Sequence, residues 1–469
     1  MVITTPATPC PTLCSRRGIL FLFTCLNCGF LDILSIMIKT KIYENGLRFV
    51  HQYIKDSKTV GMSISVQCGA VDEPPQLSGI SHFMEHMSSG KSTNTRSALQ
   101  LSIEVDEHGI HANAYTSSEN TAYFAECLNE EFDKMAEILA DQFFNSAYLE
   151  QEITLERNVI MAEIKRDEND HQRRIVSDSL EMFFAGSPLG NSLIGTNKTV
   201  GAIARQDLLD YRREHYIAPK IIISVAGGIK YDAALELTEQ LFVKQLPQTP
   251  QKPVLKPKQL LRTEAPKKEL NITEASTQDY YLIAYPGLNR AAKERYALSL
   301  FSIIFGGTPS SRLFSEVRIK NGLVYNIFSD NIMYAHDGAF IICFDSVPKD
   351  GNKALRIIAS EIEKAKTGGI TEAELAKAKT IAASSLVFSS VKIMQRALAN
   401  SNALMYLGKV ISLEDQIKNY MTVTKQEVNN VAVRIFDDNK KFFARLGKSL
   451  RVGPAAPANE ATSLVKPLT

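Results

Sequence analysis

The stretch His82-Phe83-Met84-Glu85-His86 decides how the rest of this chain is interpreted. Two imidazoles four residues apart lie one turn from each other on a helix, so both can reach a single metal ion. A carboxylate directly before the second imidazole stands beside that ion, where it could take a proton from a water molecule. The order is H-x-x-E-H, the reverse of the commoner H-E-x-x-H. The stretch therefore predicts a metal site with an adjacent general base.

Helical geometry divides this region into two faces. At about 100° per residue, one side of the helix collects the apolar side chains, which are Leu77, Ile80, Phe83, Met84 and Met87. His82, Glu85 and His86 occupy the opposite side, with Ser81 at its edge. One face is expected to pack into a core, while the other presents only groups that bind a metal or move a proton. The alternative is a surface helix on which two histidines align by chance.

A zinc ion that keeps one position open for water needs a third protein ligand. Residues 149–164 have helical periodicity, with an apolar arc of Ile153, Val159, Ile160 and Ile164. Glu156 and Glu163 fall within that arc, where a carboxylate is costly unless it is paired or bound to a metal. They lie two turns apart, about 10 Å along a helix axis, so only one can bind the ion. The other would position ligands or substrate. Two carboxylates tolerated at a partly wet seam are the alternative.

These residues resemble those of a known family. H-F-M-E-H followed downstream by Glu163 is similar to the pitrilysin/insulinase family of zinc peptidases, the inverzincins. The similarity is closest to the half-length branch, which includes the beta subunit of mitochondrial processing peptidase and bacterial relatives. It covers about residues 38–447 and includes Ser187-Pro-Leu-Gly190, Ile194-Gly-Thr196 and Ser310-Ser-Arg-Leu-Phe314. The resemblance implies one zinc ion per chain, bound by His82, His86 and Glu163. It also implies that Glu85 is the general base and Glu156 an auxiliary catalytic carboxylate.

The resemblance also assigns one strand to substrate binding. Residues 112–127 read as a β-hairpin with its turn at Ser117-Ser118. In the family, the first strand of this hairpin lies at a sheet edge and pairs with an extended peptide. Backbone groups of Asn113 and Ala114 would then bind the peptide on either side of the cleaved bond. Without the resemblance, an ordinary sheet strand is the simpler interpretation.

Arg318 and Tyr325 lie on either side of an Asn-Gly turn. They resemble the family's Arg/Tyr pair, which holds substrate and stabilises the developing oxyanion. In the half-length branch this pair reaches the metal of a partner subunit. The resemblance therefore implies a homodimer, or a heterodimer with an inactive homologue. Without the resemblance, a surface charge and a packed ring are the simpler interpretation.

A stretch rich in proline and lysine divides the chain into two halves. We predict an N-terminal zinc-binding catalytic domain at 38–245, a linker at 246–268 and a C-terminal domain at 269–447. Strands and helices recur in a similar order in both halves. We therefore predict an α+β fold of two similar α/β-roll domains, a duplicated unit. The second half contains no H-x-x-E-H, so one metal site is expected per chain.

The two ends of the chain fall outside this expected fold. Residues 1–37 are interpreted as a leader, or as a start assigned too early with Met37 as the true start. Residues 448–469 are expected to be disordered. Outside the leader the cysteines are Cys68, Cys127 and Cys343, which favours a reducing compartment. We expect a cytoplasmic location if the source is bacterial, and a mitochondrial or membrane-associated one if the leader is a targeting segment.

Length and composition agree with an enzyme of two or more domains. A chain of 469 residues with 45% hydrophobic content can bury more than one core. The net charge is +2 and the basic residues are scattered, so nothing indicates nucleic-acid binding. We predict a zinc-dependent metalloendopeptidase that hydrolyses peptides or unfolded polypeptide segments. The alternatives are a non-catalytic scaffold subunit of the same fold and the catalytic subunit of a presequence-processing heterodimer.

One departure from the family bears on the choice of substrate. The processing peptidase recognises an arginine near the cleavage site with an acidic pair, and here those positions hold Arg173 and Ser177. A basic residue repels an arginine-bearing presequence instead of pairing with it. The departure favours a less selective peptidase over a presequence-processing enzyme.

Overall fold

Two mixed β-sheets with helices on both faces form the described part of the chain. The computed structural model describes residues 38–254 and 268–448, so the predicted leader, most of the linker and nearly all of the tail lie outside the described residues. The strands are β1 (Ile38–Ile42), β2 (Arg48–Tyr53), β3 (Thr59–Val66), β4 (His111–Thr116), β5 (Thr121–Leu128), β6 (Ile221–Gly227), β7 (Glu269–Thr273), β8 (Asp279–Pro286), β9 (Ile327–Met333), β10 (Gly338–Ser346) and β11 (Phe442–Gly447). The α-helices of the first half are α1 (Ile80–Met87), α2 (Ala98–Glu107), α3 (Phe132–Asn145), α4 (Glu150–Asn169), α5 (His171–Phe183), α6 (Asn197–Ala202), α7 (Arg205–His215) and α8 (Tyr231–Leu241). Those of the second half are α9 (Arg295–Phe305), α10 (Gly351–Thr367), α11 (Glu372–Ser390), α12 (Ile393–Leu407), α13 (Leu413–Thr422) and α14 (Lys425–Ile435).

The two sheets share one topology. Their strand orders are β1-β2-β6-β3-β5-β4 and β7-β11-β8-β10-β9. Each sheet contains one parallel pair, formed by an early and a late strand of its half of the chain. These pairs are β2 with β6 and β7 with β11. The strands that follow in the two orders, β6-β3-β5-β4 and β11-β8-β10-β9, pair antiparallel with their neighbours. The series β2-β6-β3-β5-β4 therefore corresponds strand by strand to the second sheet, with β1 as an addition. This confirms the prediction of an α+β fold built from two similar domains.

One face of each sheet packs against helices of its own half. In the first half, alternate residues of β2, β3, β5 and β6 meet α1, α3, α4 and α7 in a continuous apolar cluster. In the second half, β8 and β10 meet α9, α10, α11 and α14 in the same way. Because successive side chains of a strand point to opposite faces, each sheet has a second face that also needs cover.

That second face is covered by a helix from the opposite half of the chain. Helix α12 of the C-terminal half packs on β3 and β6 of the first sheet, where Met405 joins Ile222 in one buried cluster. Helix α5 of the N-terminal half packs on β8 and β11 of the second sheet, where the Phe183 and Phe442 ring centroids lie 6.1 Å apart. The predicted linker thus lies between two separate apolar cores, and one helix from each half covers the sheet of the other. Hydrophobic periodicity shows that a helix has an apolar face, not which sheet it covers.

Two structural features relate to the predicted compartment, which are the state of the described cysteines and the character of the described helices. Cys68, Cys127 and Cys343 are buried and form no disulfide. Within residues 38–254 and 268–448, every helix is too short or too polar to serve as a membrane-crossing segment. The reducing compartment stays a prediction.

Candidate metal centre

Helix α1 presents the H-x-x-E-H stretch with the two faces that its sequence predicts. Ile80, Phe83, Met84 and Met87 are each 0% exposed and pack into the first core. His82, Glu85 and His86 are half-buried on the opposite side. The helix is short because Gly79, with φ of 93°, turns the chain just before it and Ser88 leaves helical geometry just after it. The apolar face thereby anchors a helix whose other face carries the reactive groups.

A buried carboxylate caps the start of this helix. Glu73 accepts hydrogen bonds from the backbone N–H groups of Gly79 (2.7 Å) and Ser81 (2.8 Å). It takes the place of the usual side chain at the N-cap, which Gly79 lacks. Burial raises the pKa of Glu73 and these hydrogen bonds lower it, with a net value of about 7. This role of Glu73 could not be predicted from the sequence, because only the folded loop brings it to the helix end.

Three potential ligand atoms meet beside α1. The Nε2 atoms of His82 and His86 are 3.2 Å apart. Oε2 of Glu163 lies 3.7 Å from Nε2 of His82 and 3.6 Å from Nε2 of His86. Tetrahedral zinc with bonds of about 2.0–2.1 Å separates its ligand atoms by about 3.4 Å. Within the described residues, these three form the one group of metal-binding side chains close enough to share an ion. Two imidazole nitrogens and a carboxylate oxygen are also the donor types that zinc takes.

The environments of the two imidazoles shift their pKa values in opposite directions, and that of His82 favours metal binding. Burial and the neighbouring His86 lower the pKa of His82 to about 4, which keeps that ring neutral and able to bind a metal. Burial alone lowers the pKa of His86, but the hydrogen bond to Glu156 and the charge of Glu163 outweigh burial and raise it. When the His86 ring is neutral and donates its Nδ1 proton to Glu156, the lone pair of its Nε2 points towards the Nε2 of His82. Two facing lone pairs repel each other unless a cation lies between them.

Glu85 is held by the neighbouring edge strand. Its Oε2 accepts a hydrogen bond of 2.6 Å from the hydroxyl of Thr116, the last residue of β4. Burial raises the pKa of Glu85 and the Thr116 bond lowers it, with a net rise. A carboxylate with a raised pKa is a better proton acceptor near neutral pH. Thr116 was not predicted to have a role, although it ends the segment assigned to substrate binding.

Helix α4 carries both predicted carboxylates but not in equivalent places. Oε2 of Glu156 accepts from Nδ1 of His86 at 2.8 Å, and its Oε1 lies 2.6 Å from Nζ of Lys91. Glu156 therefore lies behind His86, which supports the predicted role of positioning a ligand and not that of contacting substrate. The hydrogen bond from His86 lowers the pKa of Glu156, against the effect of burial, and Lys91 lowers it further.

The predicted apolar arc of α4 needs one correction. Ile153, Ile160 and Ile164 are buried as expected, but Val159 is 44% exposed. The helix packs against α1, α5 and α6, and the side chain of Val159 stays accessible to solvent. The prediction was wrong because the arc borders the open side of the site.

Strand β4 lies at the edge of the first sheet, as the resemblance implied. It pairs with β5 through Asn113↔Phe124 and Ala114↔Tyr123, and its other side has no partner strand in the described chain. Asn113 is exposed and Ala114 half-buried. An edge strand leaves backbone N–H and C=O groups free to pair with an extended peptide. The assignment of these two residues to substrate stays a prediction.

Two family models and several relatives match this chain. The model for insulinase, peptidase family M16, matches residues 48–197, and the model for the peptidase M16 inactive domain matches residues 202–382. An uncharacterized zinc protease of Rickettsia felis is 31% identical over 394 residues, which is 84% of this chain and 93% of the relative. The chain belongs to the insulinase family, peptidase family M16. The uncharacterized zinc protease YmxG of Bacillus subtilis is 31% identical to this M16 chain over 404 residues, 86% of it and 97% of the relative.

Solved structures show the same fold. A protease from Helicobacter pylori has a TM-score of 0.78 and 22% identity, covering 88% of this M16 chain and 99% of its own. The peptidase M16 inactive domain from Pseudomonas fluorescens has a TM-score of 0.81 and 16% identity, covering 88% and 98%. These likenesses confirm the fold of two similar domains, and the matches along the sequence confirm the family resemblance.

The predicted Arg/Tyr pair of the M16 chain lies in the second half. The guanidinium of Arg318 is 5.0 Å from the ring centroid of Tyr325 and 4.8 Å from that of Phe314. Arg318 belongs to a π-helical segment, Phe314–Ile319, and Tyr325 is 67% exposed. Within the described residues, no hydrogen bond or ion pair joins either residue to a predicted zinc ligand. Arg318 and Tyr325 thus lie side by side, and their approach to a metal site stays a prediction.

The two residues that stand in place of the processing peptidase's acidic pair line a cleft between the halves. Arg173 and Ser177 of α5 face this cleft together with Phe328 and Tyr334 of the second half. Arg173 is paired with acids of its own half, at 3.5 Å from Asp167 and 3.3 Å from Asp170. The effect of Arg173 and Ser177 on the choice of substrate stays a prediction.

Proposed function

We propose that this M16 chain is a zinc-dependent endopeptidase that hydrolyses peptides or unfolded polypeptide segments. The observation that carries the proposal is the triangle of His82, His86 and Glu163, with sides between 3.2 Å and 3.7 Å, beside Glu85 on one helix face. The names of the relatives, which describe zinc proteases, support the choice of ion and reaction.

The residues around the triangle divide the chemical work. Zinc, when bound, supplies a Lewis acid that polarises a carbonyl and brings the pKa of a water molecule towards neutrality. Glu85 takes a proton from the attacking water and passes it to the leaving amine. Thr116 holds one oxygen of this carboxylate, which leaves the other oxygen to exchange the proton. Glu156 keeps His86 in the orientation that the triangle requires.

Substrate uptake by β-strand addition supports an extended or unfolded substrate. Thr116 ends the edge strand β4 and contacts Glu85, so a peptide paired along Asn113 and Ala114 would run past the general base. Main-chain pairing reads conformation more than sequence. We therefore expect broad cleavage of unfolded segments, with no preference for arginine because Arg173 and Ser177 stand in place of an acidic pair.

The deciding experiment is the Glu85→Gln variant, measured for both zinc content and peptide hydrolysis. We expect a full zinc complement and a loss of about 10²–10⁴-fold in turnover, because the general base alone is removed. Glu239→Gln is the matched control, since Glu239 pairs with Lys41 at 2.5 Å at the far side of the same half. Wild-type turnover in Glu85→Gln contradicts the mechanism. Zinc binding without hydrolysis by the wild-type chain favours the non-catalytic scaffold alternative.

The Arg318/Tyr325 pair supports a dimer in which each subunit completes the site of the other. Tyr325 is exposed and both residues lie in the half that has no metal site. Guanidinium and phenol donors stabilise a developing oxyanion only if they reach it. We propose a homodimer, since one chain carries both the metal ligands and this pair.

A further inference from the structure

A row of three side chains leads away from the predicted zinc ligand His86. Nδ1 of His86 lies 2.8 Å from Oε2 of Glu156, and Oε1 of the same carboxylate lies 2.6 Å from Nζ of Lys91. We propose that Lys91 is a positioning residue of the zinc site that acts through Glu156. This inference rests on the zinc site of the proposed function and adds a residue to it.

The surroundings of Glu156 give Lys91 this role. The Glu156 side chain is 10% exposed and that of Lys91 is 26% exposed. A carboxylate so little exposed is stable only when both oxygens have partners, and His86 and Lys91 supply one each. Without the ammonium group, Oε1 of Glu156 has no partner and the carboxylate turns towards water. Its hold on the His86 ring then weakens.

The backbone around Lys91 is built to hold it in place. Gly90 has φ of 68° and turns the chain directly after α1, in a region of φ that favours glycine. Ser92 is fixed to the start of α4, because its hydroxyl donates to Glu152 at 2.7 Å and its carbonyl accepts from the N–H of Ala147 at 2.9 Å. Lys91 is therefore held between a turn and an anchored residue, and its side chain is directed at α4.

The charges of the site lead to the same conclusion. Glu85, Glu156 and Glu163 bring three carboxylates into a half-buried region. A divalent zinc ion offsets two of these negative charges, and the ammonium of Lys91 offsets the third. Unbalanced charge in a partly buried site is costly, so removal of Lys91 leaves a site that holds its imidazole ligand less firmly.

The test compares zinc affinity in Lys91→Met, Lys91→Arg and wild-type protein by competition with a chromophoric chelator. We expect Lys91→Met to weaken zinc binding about 10-fold, the low end for loss of a group behind a metal ligand. Lys91→Arg should recover most of that loss, because it keeps a positive donor for the carboxylate. Lys320→Met is the matched control, since it removes a 2.5 Å ion pair with Glu316 in the other half and should leave zinc affinity unchanged.

A double-mutant cycle with Glu156→Gln separates positioning from general destabilisation. If Lys91 acts through Glu156, Lys91→Met adds no further loss of zinc affinity in the Glu156→Gln background. Additive losses, or equal zinc affinity in wild-type protein and Lys91→Met, overturn the inference. Wild-type protein that binds zinc but cleaves no peptide ends the proposed peptidase and leaves this test intact. Wild-type protein that binds no zinc ends both.

Discussion

The same strand order carries a helix with one polar face in one half of the chain and a helix without an exposed residue in the other. Helix α1 follows β3 and precedes the edge strand β4, and α9 follows β8 and precedes the edge strand β9. One face of α1 presents His82, Glu85 and His86. In α9, seven of the eleven residues are buried and none is exposed, and the ring centroid of Phe301 lies 5.6 Å from that of Phe436. The strand order is thus repeated in the second half, but the metal-binding and proton-transfer residues are not.

The difference shows what a metal site demands of a helix. The polar face of α1 holds groups that are stable in a half-buried place only when they pair with one another or with a cation. Helix α9 instead buries aliphatic side chains together with Phe301 and Phe305, and their burial stabilises the fold without any further ligand. We expect changes near α1 to alter metal binding, and changes near α9 to alter only the stability that comes from packing.

The strongest test of this comparison removes the third predicted ligand. Glu163→Ala is expected to lose zinc on dialysis and to lose about a thousandfold in peptide hydrolysis, since the metal supplies several kcal/mol of transition-state stabilisation. Ser302→Ala on α9 is the control, because Ser302 is buried and donates to the Ser329 carbonyl at 3.1 Å in the half without a metal site. Elemental analysis measures the zinc. A full zinc complement in Glu163→Ala would break the comparison.

Mixing two inactive variants tests whether the second half contributes across a subunit interface. Glu85→Gln and Arg318→Ala are each expected to be inactive, and an equal mixture should regain roughly a quarter of wild-type hydrolysis, because one site in four is then intact in a randomly exchanged homodimer. Hydrolysis is followed over time after mixing. No recovery, together with proven subunit exchange, would mean that the pair does not act in the partner's site.

Truncating equivalent aromatic residues in the two halves sharpens the contrast. Phe83 and Phe301 are both 0% exposed, on α1 and α9 respectively. Each change to alanine should lower the free energy of unfolding by about 3–5 kcal/mol. Only Phe83→Ala should also weaken zinc binding, because it loosens the back of the metal helix. Denaturant unfolding and zinc titration of both variants measure the two effects, and equal zinc affinities would count against the division between the halves.

The smallest expected effect concerns an ion pair that belongs to the second half alone. Arg312 holds Glu374 through two bonds of 2.6 Å and 2.8 Å. Burial raises the pKa of Glu374, but the bonds from Arg312 and Thr371 outweigh it and lower the pKa from 4.5 to about 2. Since this pKa is depressed in the folded state, the stabilisation is present above pH 4.5 and is lost as the pH falls towards 2.

Glu374→Gln should therefore lower the free energy of unfolding at pH 7 by on the order of 1–2 kcal/mol, a value reduced for the partial exposure of the pair. The difference from wild type should shrink as the pH falls. Unfolding curves at several pH values measure it, and zinc affinity should not change. A constant difference from pH 7 down to the acid range would show that the pair does not titrate as proposed.

Several features of the site could be predicted because they depend on spacing along one element. The two faces of α1 follow from helical periodicity, which also puts Glu156 and Glu163 on the apolar arc of α4, and the resemblance then names Glu163 as the ligand. The resemblance to known zinc peptidases predicted both the family and the position of β4 at the edge of its sheet. Lys91, Thr116 and Glu73 were not predicted to have roles. Each acts through one contact between separate segments, and neither periodicity nor composition records such a contact.

The order of residues alone determines where most helices and strands form and which of their faces are apolar. It also determines which short stretch carries the metal-binding and proton-transfer groups. All of these features depend on residues that are close to one another in the sequence. Tertiary structure alone decides that α12 covers the first sheet and α5 the second. It also sets the contacts by which Glu163 meets the two Nε2 atoms, Glu156 pairs with Nδ1 of His86 and Lys91 supports Glu156. The reason is physical: those outcomes depend on how separate apolar faces find mutual cover, and the distances between side chains are set only when that packing is complete.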